Sequence, residues 1–163
     1  MKYSIKLLPL LVYASSAFVS GYLLRSDQEA LTYCHTHQNV YIAIVWPIAQ
    51  GKEKFITNIM NRYGKILYRK ETYFTPSRAL HILKKAHANA NIPTSMKEHV
   101  KWYFPKGTYQ QPARIFVVEF DDMQHNLACK YSIRKLYPSL QYRSIHITDY
   151  HYEAIELAKL FFS

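Results

Sequence analysis

Past its first forty residues the chain alternates short apolar runs with amphipathic stretches. The run NVYIAIVWP, closed by Pro47, has the pattern of a central strand. Gly51 leads into KEKFITNIMNRYG, where Phe55, Ile56, Ile59, Met60 and Tyr63 share one helical face and Gly64 supplies the stop. KILYRKETYF reads as a second strand. Thr75 and Pro76 then open a helix as N-cap and first helical residue, and Leu80, Leu83 and Ala86 or His87 carry it inward. Ser95-Met96-Lys97-Glu98 is a capping box for a short helix through Trp102 or Tyr103. RIFVVEF predicts a third strand, CKYSIRKLY a brief helix, and SIHIT a last strand with His146 at its centre. Thr148 or Asp149 caps the final helix, whose Ala154, Ile155, Ala158, Phe161 and Phe162 recur at helical spacing.

Four strands with helices between them predict an α+β domain, a ferredoxin-like antiparallel four-stranded sheet with helices on one face. It occupies 40–163. Ahead of it, an almost uncharged stretch from Leu7 to Leu24 follows Lys2 and Lys6, so 1–25 reads as an apolar helix serving as a signal peptide or membrane anchor. Residues 26–39 read as a linker. This predicts an exported or membrane-associated domain, or a cytoplasmic one if the apolar segment is part of the fold.

Composition narrows the chemistry. The formal charge is +10, from 21 Lys and Arg against 11 Asp and Glu, which favours anionic partners: nucleotides, nucleic acid or an acidic membrane surface. Four glycines leave no GxxxxGK[ST] and no GxGxxG, so a phosphate site must use side chains and a helix terminus. His146, at a strand end facing a helix N-terminus, lies where anions are attracted. The cysteines, Cys34 and Cys129, allow one bridge in an exported domain and two thiols otherwise. "CHTH" (Cys34, His35, His37) lacks zinc spacing and reads as a solvated loop, and Asp121-Asp122 fits either a divalent ion or a loop. Aromatics interleave with basic residues in HVKWYFPKGTYQQPAR, which suits a nucleic-acid-binding module, yet no RNP-like pattern is present. A membrane-tethered interaction domain without ligand is the third alternative.

The end of the chain carries a more specific likeness. Ile133-Arg134 is followed twelve residues later by His146, then by Ile147-Thr148-Asp149 and YHYEAIELAKLFF. This resembles the nucleoside diphosphate kinase family, in which I-R-G precedes N-x-x-H-G-S-D and a helix starting S-x-E-S-A. YIAIVWP through ETYF resembles that family's first strand, helix and second strand, and ARIFVVEF its third strand. The resemblance implies a nucleotide or other phosphate-bearing ligand, Mg²⁺ entering with the nucleotide, and compatibility with a homo-oligomer. It makes His146 the nucleophile that carries a phosphoryl group and Arg134 a phosphate clamp, with Thr148 and Asp149 shaping the histidine's surroundings. The pattern also departs from the family. Val45-Trp46-Pro47 stands where the family has I-K-P, Arg143 where it has asparagine, and Ile147 where it has glycine. His87…Ile92-Pro93-Thr94 echoes the base-holding segment without its aromatic, and no helix with a second arginine fits. Lys52 and Arg143 are the candidates to replace lost charge. The expectation is ligand binding without efficient transfer.

Overall fold

The computed structural model describes residues 22–87, 96–105 and 110–163. All four strands form: β1 (Val40–Val45), β2 (Gly64–Thr72), β3 (Ala113–Phe120) and β4 (Ile145–Ile147). They make one antiparallel sheet in the order β2-β3-β1-β4. Every residue of β1 is buried, because its alternate side chains enter two different cores.

Among the described residues six α-helices accompany the sheet: α1 (Asp27–Thr36), α2 (Glu53–Tyr63), α3 (Pro76–Ala86), α4 (Met96–Tyr103), α5 (Met123–Lys135) and α6 (His151–Phe162). The ferredoxin-like pair, α2 and α5, lies on one face as expected, with Ile56, Met60, Cys129 and Ile133 packed on Tyr41, Ala43, Phe116 and Val118. The opposite face is covered too. There α1, α3, α4 and α6 bring Cys34, Leu83, Tyr103, Leu157 and Phe161 onto Ile42, Ile44 and Ile115. A strand apolar on both sides requires this second layer.

Local chemistry explains the boundaries. Thr75 caps α3, accepting a hydrogen bond from the Arg78 amide, with Pro76 in the first turn. Asp122 caps α5 through the His125 amide at 2.8 Å, which gives the aspartate pair a loop role. A side chain at Gly64 would collide with the Glu119 carbonyl and the Phe120 ring, so glycine lets β2 meet β3 closely. Phe55, expected on the buried face of α2, is 61% exposed; Ile56 and Met60 face the sheet, and Phe55 stands about 100° round from Ile56.

Several expectations are corrected. The supposed linker 26–39 contains α1, whose Asp27 accepts a hydrogen bond from Tyr68 Oη at 2.7 Å and pairs with Lys70. In "CHTH", Cys34 is a buried core residue of α1 and the His37 ring stacks on Tyr33 at 3.6 Å. Cys34 and Cys129 are free thiols in cores on opposite faces of the sheet, so they do not pair. Among the described residues no helix is long and apolar enough to cross a membrane. Of the apolar segment 1–25, residues 1–21 lie outside the described residues, as does the capping serine Ser95.

Candidate functional site

Strand β4 is one edge of the sheet, and His146 is its central residue. In register with Ile44, the imidazole points to the face covered by α3 and α6, whereas Ile145 and Ile147 point to the other. Only 9% of His146 is exposed. The His87 ring, at the C-cap of α3, meets it edge-on with centroids 5.2 Å apart, and His87 Nε2 is 3.2 Å from Tyr103 Oη. From the other side α5 presents Lys130 and Arg134, one turn apart on the same stripe. The start of α6 adds Asp149, Tyr150 and Glu153. Together these side chains enclose a cavity of about 320 Å³.

Most of the charge in the cavity is already committed. Lys130, 5% exposed, pairs with the Asp149 carboxylate. Burial pushes the Lys130 ammonium's pKa down, and the bond to Asp149 opposes that shift. Glu153 accepts the Asp149 amide at 2.8 Å and the Tyr150 amide at 3.3 Å. The N-terminus of α6, expected to attract an anion, is therefore closed by the chain's own carboxylate. Nor do Thr148 and Asp149 cap the helix, which is capped at Tyr150. Thr148 extends the sheet instead: its amide donates to the Ile42 carbonyl at 3.0 Å and its Oγ1 accepts from the Ile42 amide at 3.1 Å.

Two groups are not committed. Arg134 forms no ion pair among the described residues; its guanidinium lies 5.9 Å from the Tyr131 ring centre, and its buried Nε has no hydrogen-bond partner. Burial lowers its pKa, but a guanidinium stays protonated. His146 Nε2 is also buried without a partner. Burial first, then His87, Lys130 and Arg134, holds its pKa well below the ordinary histidine range. At neutral pH the ring is uncharged, with the electron pair a nucleophile or hydrogen-bond acceptor needs. An unpaired cation beside a neutral imidazole can hold an anionic oxygen.

Of the residues expected at the site, His146, Arg134 and Asp149 meet in the cavity and Thr148 adjoins it in the sheet. Lys52 does not. Its ammonium bonds the Leu136 carbonyl and sits 4.9 Å over the Tyr137 ring. Arg143, in a 3-10 turn over Gln141–Arg143, donates to the Ser139 carbonyl at 3.0 Å and does not line the cavity. At the strand end where the resembled family carries lysine, Trp46 is fully buried, edge-on to Tyr103 and Phe104. Sequence reasoning missed Lys130 and gave His87 only a minor place. The spacing of Lys130 four residues before Arg134 was the available signal. The sheet offers no open platform for stacked bases, because Tyr41, Phe116 and Phe120 lie under helices.

No family model matches the chain, and no curated protein does. Among solved structures it is similar to the nucleoside diphosphate kinase of Aquifex aeolicus, at 18% identity and a TM-score of 0.52, over 78% of this chain and 96% of that one. It is similar also to a halophilic nucleoside diphosphate kinase from Halobacterium salinarum in complex with CDP, at 17% identity and a TM-score of 0.52, over 78% and 89% of the two chains. At these identities the likeness establishes a shared fold.

Proposed function

We propose that this domain binds a nucleotide or a similar phosphate-bearing ligand, with its phosphates in the cavity between β4, α5 and α6. The observation that carries the reading is the meeting of the unpaired Arg134 guanidinium with the partnerless Nε2 of a neutral, buried His146. Among the described residues the lining charges balance, Lys130 and Arg134 against Asp149 and Glu153, so attraction comes from one uncommitted cation rather than from net charge. The related fold of a kinase solved in complex with CDP supports a nucleotide as the ligand class. Mg²⁺ would enter on the ligand's phosphates: Asp149 is held by Lys130 and Glu153 by two backbone amides, and no group of three or more metal-binding side chains occurs among the described residues.

Phosphoryl transfer is the second reading, favoured by the neutral imidazole. In that step a ring nitrogen attacks the γ-phosphorus, the bond to the bridging oxygen breaks, and the diphosphate leaves with that electron pair. Charge spread over three phosphate oxygens needs several cations. Here Trp46 stands at the strand end and Lys130 is neutralised, which leaves one among the described residues. Binding without efficient turnover is therefore the expected behaviour.

Incubation with γ-labelled ATP and Mg²⁺, beside a melting-temperature assay, separates the readings. Binding alone gives a ligand-dependent rise in melting temperature that fades with salt and leaves no label on the protein. Transfer gives an acid-labile, alkali-stable label that His146→Ala abolishes. Neither signal would reject the proposal and leave His146 with a structural role.

A further inference from the structure

Beside the His146 cavity lies a second and larger one, of about 660 Å³, formed by the end of α5 and the turn that follows. Its chemistry is different. Tyr131 and Tyr142 present rings that are 56% and 48% exposed, and Lys135 supplies a positive rim. Other tyrosines are as exposed, Tyr73 and Tyr152 among them, and exposure alone carries nothing. What sets Tyr131 and Tyr142 apart is Arg134, which lines both cavities. One guanidinium thus joins an aromatic recess to the space in front of a buried neutral imidazole.

A nucleotide has the same division, a planar ring system at one end and anionic oxygens at the other. The recess has the size of an ordinary small-ligand pocket, in which apolar and aromatic walls supply contact area and a few polar groups fix orientation. We propose that this recess is the base subsite: the base stacks on Tyr131 or Tyr142 while the phosphates pass Arg134 toward His146. The assignment rests on the phosphate reading given above and adds where the rest of the ligand lies.

Calorimetry of the full chain with ADP and with inorganic pyrophosphate tests this. The wild type should bind ADP more tightly than pyrophosphate. Tyr131→Ala and Tyr142→Ala together, and at least one of them singly, should weaken ADP by about five- to a hundredfold, the range of one lost base-stacking contact. Pyrophosphate should bind the alanine variants as it binds the wild type, which also reports that they are folded. Tyr131→Phe and Tyr142→Phe should keep ADP affinity, since stacking needs the ring and not the hydroxyl. Equal affinity for ADP and pyrophosphate in the wild type, or full ADP affinity in the double alanine variant, overturns the base subsite and leaves the phosphate reading standing. Equal weakening of both ligands also overturns it, by giving the tyrosines a purely structural part. Binding of neither ligand removes the phosphate reading, and this one with it.

Discussion

Two arginine clusters show how differently one residue type is used in this molecule. Arg114, at the start of β3, is 3% exposed and held on two sides, by the Glu53 carboxylate and the Ala49 carbonyl. Tyr137 closes the same knot, donating to the Gly51 carbonyl at 2.7 Å, and Lys52 lies over its ring. The cluster ties the loop between β1 and α2 to the sheet and to α5. Arg134 is half-buried on α5 and has no such partners; beside it His146 keeps a buried nitrogen unbonded. The Nε of Arg114 is unbonded too, so the difference lies in the charge: a cation met by a carboxylate of its own chain is part of the architecture. One that the fold gathers and leaves unpaired has capacity for something from outside.

That contrast can be broken first at Glu53. Glu53→Ala should destabilise the domain by about 2–3 kcal/mol in urea unfolding, less than the roughly 3–5 kcal/mol of a fully buried pair because Glu53 is half-exposed in the native state. Ligand affinity should survive. Arg134→Ala should behave in the opposite way. Pyrophosphate affinity should fall by about tenfold to a hundredfold, the worth of a hydrogen bond to a charged group, while the melting temperature holds or rises. Loss of stability with no loss of binding would place Arg134 in the same class as Arg114.

A smaller effect belongs to pH. The folded His146 titrates well below its unfolded value near 6.5, so between those two values the unfolded chain binds the extra proton. Stability should therefore fall as pH drops below about 6.5, with this residue contributing about 1.4 kcal/mol per pH unit until its folded pKa is reached. His146→Asn should remove one proton's worth of that slope in denaturant titrations from pH 7 downward. An unchanged slope would mean that the imidazole is charged in the fold. The least change is expected at Lys52, where Lys52→Ala removes an exposed cation–π contact of less than about 1 kcal/mol. Pyrophosphate affinity should stay within twofold of the wild type, and a larger loss would bring Lys52 back into the site.

Where sequence reading succeeded and where it failed follows from contrast between neighbouring positions. Strands β1 and β3 were legible because each is a nearly continuous apolar run bounded by turn residues. Helix α3 was legible from its cap and its proline. Helix α5 was read as a brief helix, because its buried positions include Asn126 and Lys130 beside Cys129 and Ile133, which blurs the apolar stripe. Helix α1 buries only Ala30 and Cys34, so its sequence has the pattern of a linker. At the site, His146, Arg134 and Asp149 could be named from their order in the chain. Lys130 was legible only through its place four residues before Arg134, and His87 could not be placed beside them by any local pattern.

By itself, then, the sequence determined the strands, the ferredoxin-like arrangement, and the histidine about which the question of function turns. Tertiary structure decided which charges remain available. Lys130 meets Asp149, Glu153 closes the start of α6, Lys52 folds onto Tyr137, and Trp46 fills a strand end, so among the described residues Arg134 is the cation left unpaired beside His146. Local periodicity is a property of neighbours three or four residues apart, whereas the pairing of a charge depends on which distant segment the packing brings within about 3 Å of it.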